Sequence, residues 1–177
     1  MKLYVARHGQ TRWNSQNRVL GRTDIPLNET GIEQAQGLAE KVASLGIDVI
    51  ISSPLSRARQ TADIVGSALG LDVLADDRLT EFDFGAFEGA SRDDAEYQRL
   101  KRQFCSKYEN GESVLAVAAR VYPFLDEIRV KYRDKTVLLV CHNALMRVIN
   151  GYFTAPDNDE FFGFAVGNCE TVFYEAQ

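Results

Sequence analysis

At 177 residues, with 45% hydrophobic and 25% charged residues, the chain has the size and composition of one globular domain, spanning 1–177 and able to bury its own core. Its formal net charge of -5, without a basic stripe, excludes nucleic acid or an anionic membrane as partner, and apolar runs of about five residues fall far short of the roughly 20 that cross a bilayer. No signal-peptide h-region fits before Arg7, and Cys105, Cys141 and Cys169, odd in number and without a Cys-x-x-Cys pair, point to a reducing cytoplasm.

The chain opens on a strand over residues 2–6, cut off by Arg7 and His8, a pair suited to meet an anion where most short strands close on glycine, asparagine or aspartate. After a polar loop from Gln10 to Asn28, Ile32, Ala35, Leu38, Ala39, Val42 and Leu45 recur at helical spacing. Thr30 and Glu33 read as the capping box of that helix and Gly46 as its stop. The β-branched run "DVIISS" reads as a buried strand, and "PLSRARQTADIVGSALG" as a helix opened by Pro54. "LDVLA" gives a third strand, "LTEFDFGAFEG" a loop, and residues 92–108 a charged helix. From Ser113 to Tyr132 runs a longer helix that Pro123 is expected to bend. Then come the buried strand "KTVLLVC", the helix "NALMRVINGYF" and an alternating last strand, "ETVFYEA". Strand and helix alternate, so the expectation is an α/β fold. It is a three-layer αβα domain with a mostly parallel central sheet whose strand-to-helix junctions gather at one edge.

The only two histidines follow the first and fourth strands, His8 and His142, at the carboxyl ends where open parallel sheets bind ligands. Arg57, in the first turn of the helix after "IISSP", reaches the same edge. Two imidazoles and the guanidinium groups of Arg7 and Arg57 therefore converge, and like charges crowded together cost free energy unless an anion arrives. Guanidinium forks match phosphate oxygens, and their charge disfavours an imidazolium, which leaves His8 neutral and nucleophilic. No HExxH, aspartate cluster or Walker loop is present, so no metal and no other cofactor is expected.

Through "ARHGQTRWN", "SSPLSRARQTA", "LTEFDFGAFEG" and "CHNALMR", in this order along the whole chain, the sequence resembles the histidine phosphatase superfamily, with its phosphoglycerate mutase-like fold. The resemblance implies that His8 takes the phosphoryl group as a phosphohistidine, that Arg7, Arg57 and His142 hold the phosphate oxygens, and that Glu81 donates the proton. It adds Asn14 to the phosphate pocket, and Gln10, Thr11 and Gly21 to the substrate contacts. Glu81 is preferred over Asp83 because the family's acid opens this motif, and Leu79, Phe82 and Phe84 can raise its pKa by desolvation. Where the family usually has glycine after the second histidine, this chain has Asn143, whose side chain either donates to the phosphate or restricts the pocket.

The implied activity is metal-independent hydrolysis of small phosphorylated metabolites, with inorganic phosphate as the other ligand; the alternative is a cofactor-dependent phosphoglycerate mutase. The segment between Glu81 and Ser113 is short where mutases insert a longer basic cap, which favours water as acceptor. Arg92, Arg99, Lys101, Arg102 and Lys107 read either as an entrance to the site or, with Asp93, Asp94 and Glu96 among them, as a solvated helix face, and the solvated face is the expectation. Cys141 and Arg147 also fit the Cys-x5-Arg spacing of cysteine-dependent tyrosine phosphatases, yet "CHNALMR" lacks glycine and Cys141 continues an apolar strand. Sugar phosphates, phosphoglycerates, nucleotide-precursor phosphates and phosphoserine all fit this reading.

Overall fold

Five strands build the sheet: β1 (Lys2–Arg7), β2 (Val49–Ser52), β3 (Val73–Ala75), β4 (Thr136–Cys141) and β5 (Thr171–Glu175). They lie in the order β3-β2-β4-β1-β5 in the computed structural model, which describes residues 1–176. Neighbours are parallel except β5, which runs antiparallel along the outer edge of β1. Alternate residues of the central strands feed two cores, as the period of two requires. Leu3 and Val5 of β1 with Val137, Leu139 and Cys141 of β4 pack toward α5 (Val114–Lys131) and α6 (Asn143–Thr154). Ala6, Leu138 and Val140 pack toward α2 (Glu29–Val42) and α3 (Ser56–Leu69). With helices on both faces, β4 is buried from Val137 to Cys141, hence its unbroken apolar run.

Three elements differ from the sequence reading. Helix α2 starts before Thr30: Asn28, in extended conformation, caps it by accepting from the Gly31 N–H. Asparagine caps at least as well as threonine, and the earlier start sets Gly31 against the backbone of Gln10. Of residues 92–108 only α4 (Ala95–Leu100), capped by Asp94, is α-helical. Tyr97 and Tyr108 stack with ring centroids 5.9 Å apart, whereas a continuous helix would separate them by about 16 Å at 1.5 Å per residue. The aromatic cluster of Phe84, Phe87, Tyr97 and Tyr108 folds the chain back instead. A short helix absent from that reading, α7 (Asn158–Gly163), carries a capping box between Asp157 and Glu160.

Register sets the functional edge. Arg7 of β1 pairs with Cys141 of β4, and Ser52 of β2 with Val140. The pairing continues one residue beyond the strands, where His8 N–H bonds the Cys141 carbonyl at 2.9 Å and Ser53 N–H the Val140 carbonyl at 3.0 Å. His8, His142 and Ser53 therefore leave three adjacent strands abreast.

Candidate active site

The two imidazoles lie 5.2 Å apart between ring centroids, tilted by 58° and buried. His8 Nδ1 donates to the Gly9 carbonyl at 2.7 Å; since a carbonyl only accepts, the proton sits on Nδ1 and Nε2 carries the lone pair. Burial, then the charges of Arg57 and Arg7, hold its pKa well below the usual histidine value. The ring is thus neutral. Its acceptor is fixed from behind by Thr61 of α3, whose hydroxyl accepts from Gly9 N–H at 3.0 Å and donates to the Arg57 carbonyl at 2.8 Å. His142 is also held neutral, chiefly by burial and Arg57. Its Nε2 meets the Ser53 hydroxyl at 2.8 Å, and its buried Nδ1 has no partner among the described residues.

Arg57 lies wholly inside the protein, its Nη1 donating to Thr23 O at 3.0 Å and its Nη2 to Gly21 O at 2.6 Å. Arg7 donates from Nη1 to Val166 O at 2.7 Å, which leaves its Nε–Nη2 edge free as a fork. Burial above all lowers both guanidinium pKa values to about 10. Gly21 is where the Arg57 carbonyl partner comes from, and a Cβ there would collide with Glu88 and the Phe82 carbonyl. Asn14 and Thr11 cap α1 (Arg12–Ser15) reciprocally, with Asn14 Oδ1 taking the Thr11 N–H and the Thr11 hydroxyl taking the Asn14 N–H. The bonds of Gln10 run to Asn28 and Gln34. Gln10 and Thr11 therefore serve as struts of the loop after β1, while the Asn14 amide nitrogen makes no hydrogen bond among the described residues.

Glu81 is buried, and three backbone amides point at its carboxyl group: Phe82 and Leu145 at 3.0 Å to Oε1, and Ala144 at 3.1 Å to Oε2. Two of these are unpaired donors of the first turn of α6, so Glu81 lies at a helix N-terminus. Burial raises its pKa, and it outweighs the opposing pull of the amides and Arg57. Beside it opens a cavity of about 110 Å3 lined by Arg92, Lys101, Arg147, Tyr97, Tyr108 and Gln98, together with Asn143. The charged segment is thus divided: Arg92 and Lys101 face the cavity, correcting the expected solvated face, whereas Arg99 is exposed and paired with Glu96. Lys101 is lowered by burial and then by Arg147 and Arg92, which marks how tightly the cations gather. A larger groove at the opposite end of β1 and β4, around Lys2 and Lys135, holds none of these groups.

Asn143 accepts the Val166 N–H on Oδ1 at 2.8 Å, and its amide nitrogen makes no hydrogen bond among the described residues. The buried side-chain nitrogens without a partner among the described residues are Arg7 Nε, Arg57 Nε, His142 Nδ1 and Arg147 Nε. Each such group costs about 1–3 kcal/mol when left dry; Arg57 and Arg7 act on His8 through their charge, His142 lies beside it, and Arg147 lines the neighbouring cavity. Cys141 stands in contrast: burial pushes its thiol up and its side chain packs in the α5–α6 core, which removes the thiolate that a cysteine nucleophile needs. No group of three or more His, Cys, Asp or Glu side chains gathers to hold a metal among the described residues, and no helix there is long and apolar enough to cross a membrane.

The sequence reading passed over Ser53, Thr61, Tyr97, Tyr108 and the cavity role of Arg147. Thr61 left one trace, as a polar residue on the apolar α3 stripe of Ala58, Ala62 and Val65. The family model described as histidine phosphatase superfamily (branch 1) matches residues 3–177. The uncharacterized phosphatase PhoE of Bacillus subtilis is 37% identical over 145 residues, 82% of this chain and 73% of that protein. Phosphoserine phosphatase 1 of Hydrogenobacter thermophilus is 33% identical over 175 residues, 95% of this chain and 83% of that protein. Among solved structures, a mycobacterial glucosyl-3-phosphoglycerate phosphatase complexed with VO3 superposes with a TM-score of 0.88 at 29% identity, covering 97% of this chain and 90% of that one.

Proposed function

This chain belongs to the histidine phosphatase superfamily and is a phosphatase, and from that premise we propose that it hydrolyses small phosphorylated metabolites through a phosphohistidine at His8, without a metal ion. The observation that carries the reading is that Arg7, Arg57 and His142, the groups that act on His8 by charge or lie beside its ring, each keep a buried nitrogen without a partner among the described residues, while His8 Nε2 carries the lone pair. A phosphate supplies the acceptors they lack. Phosphoryl transfer spreads negative charge over the equatorial oxygens, so fixed cations positioned beforehand do most of the work.

In this reading Arg7, Arg57, His142 and the Asn14 amide hold the phosphoryl oxygens. His8 Nε2 attacks phosphorus as the ester P–O bond breaks, and Glu81 gives its proton to the departing alkoxide. Water then attacks the phosphohistidine, its proton passes to the Glu81 carboxylate, and the P–N bond breaks to release phosphate and neutral His8. The raised pKa of Glu81 suits both halves, since burial favours the protonated acid that donates and the same carboxylate can then take a proton back. Gly21 contributes by admitting the Arg57 support, Gln10 and Thr11 by bracing the loop. The single short helix between Glu81 and Ser113 supports water as acceptor in place of a second substrate oxygen. The Arg92, Lys101 and Arg147 cavity beside Glu81 supports a leaving group with negative charge of its own, as phosphoserine has. Three free cysteines fit a reducing cytoplasm.

A trapped phosphoenzyme tests this reading. It should be acid-labile and alkali-stable, vanish in His8→Ala and persist in Cys141→Ser. Labelling that survives in His8→Ala would overturn it.

A further inference from the structure

We infer that Asn143 is a positioning residue that sets the Arg7 guanidinium through a single shared residue, Val166, whose N–H and C=O belong to the two peptides that flank its Cα. The loop between α7 and β5 touches β1 at several points. Cys169 N–H bonds the Arg7 carbonyl at 3.0 Å, Arg7 N–H bonds the Glu170 carbonyl at 3.2 Å, and Asn168 Nδ2 bonds the His8 carbonyl at 2.8 Å. All of these hold main-chain atoms of the strand end. Among the described residues the one hydrogen bond from this loop to the Arg7 side chain is that of the Val166 carbonyl, 2.7 Å from Nη1.

Val166 is itself placed from the other side. Its N–H is taken by Asn143 Oδ1 at 2.8 Å, so the residue is bonded at both N–H and C=O, to the first residue of α6 and to Arg7. One turn later on the same helix face, Arg147 reaches the Phe164 carbonyl at 3.4 Å, a longer and weaker tie to the same loop. The strong link between helix α6 and the Arg7 fork therefore runs through Asn143. Its consequence is directional. With Nη1 committed to Val166, the Nε–Nη2 edge is the one presented, and Nε is buried without a partner among the described residues. Without the Asn143 bond, the Val166 carbonyl can drift and carry that fork with it. A misplacement of about 1 Å at a transition state can cost on the order of 100-fold.

The inference rests on the reading that Arg7 holds the phosphoryl group, and a double-mutant cycle separates the two. Asn143→Ala, which keeps helix propensity, and Asn143→Gly should both lower kcat about tenfold or more with KM changed less than about threefold, because Arg7 matters most when charge develops. In the Arg7→Ala background the same Asn143 changes should cost less than about twofold, since there is no fork left to place. If Arg7→Ala does not fold, as judged by thermal unfolding, Arg7→Lys closes the cycle, a lysine being unable to present the fork. Unchanged kcat in both Asn143 variants, or equal losses in both backgrounds, would overturn the positioning role alone. An Arg7→Ala enzyme with undiminished kcat would overturn the phosphate-pocket reading along with it.

Discussion

At Glu81 the sequence accounts for the burial of a carboxyl group but not for the rest of its surroundings. Its apolar neighbours do bury it, and burial does raise its pKa. What the sequence could not reveal is that the first turn of α6, more than sixty residues on, aims the Ala144 and Leu145 amides at the carboxyl group. Those amides stabilise the carboxylate that remains after a proton is given away, so one environment supports both protonation states. In the proposed role the need for the proton depends on the leaving group. Glu81→Gln should lose about 10²–10⁴-fold in kcat/KM on an alkyl phosphate and far less on a nitrophenyl ester. Its NH2 would also face an amide N–H, costing roughly 1–3 kcal/mol of stability, so the thermal midpoint should drop as well. Equal losses on both esters would count against proton donation and turn attention to Asp83. The same logic explains the other residues of the site. Arg7, His8 and His142 could be singled out because charged or imidazole groups at a strand end stand out in sequence, and Arg57 because it opens the helix after β2, whereas Ser53 and Thr61 could not, because a hydroxyl shows its partner only once strand register and helix rotation are fixed.

Among the elements, α2 owes its position to glycine. At Gly31, in its first turn, a Cβ would run into the Gln10 carbonyl, and at Gly9 one would run into Gly31 in turn. Helix and loop meet backbone to backbone, next to the Gly9 carbonyl that fixes the His8 tautomer. Two substitutions in one helix should then go opposite ways. Gly37→Ala meets nothing within 4 Å and should stabilise by about 1 kcal/mol through helix propensity alone. Gly31→Ala gains the same propensity but should destabilise by roughly 1–3 kcal/mol from overpacking and lower kcat/KM about tenfold by displacing Gly9. Chemical denaturation and steady-state kinetics on the pair check this, and a stabilised, fully active Gly31→Ala would refute the close approach. Periodicity made α2, α3, α5 and α6 legible, each having an apolar stripe that buries against the sheet. It failed over residues 92–108 because charge and aromatic content fit a helix locally, and only the long-range stacking of Tyr97 on Tyr108 forbids one. The capping box of α7 was present in "DNDE", but six residues are too few for a stripe.

Across the whole molecule, a chain of net charge -5 gathers Arg7, Arg57, Arg92, Lys101 and Arg147 at one sheet edge, where the local field draws in anions against the overall charge. That concentration has a consequence for stability. Both histidines are buried and held neutral, their pKa values well below the model-peptide 6.5. In the unfolded chain each binds a proton below about pH 6.5, while the folded protein does not, so unfolding takes up protons and stability falls as pH drops through that value. Two such groups give a slope of up to about 2.7 kcal/mol per pH unit. Glu81 acts with the opposite sign. Its raised pKa keeps a proton on the folded protein that the unfolded chain releases above about 4.5, so it adds stability as pH falls through its folded value and moderates the decline. The lowered carboxyls of Asp76 and Glu112 lose their contribution at lower pH, as it falls from the ordinary carboxylate range down through their folded values. Stability from urea unfolding should therefore fall steeply between pH 7 and pH 5.5, and His142→Asn, removing one of the two titrating groups, should roughly halve that slope. A stability that stays level or rises over this interval would mean that the imidazoles accept protons inside the folded protein, contrary to their burial beside Arg57.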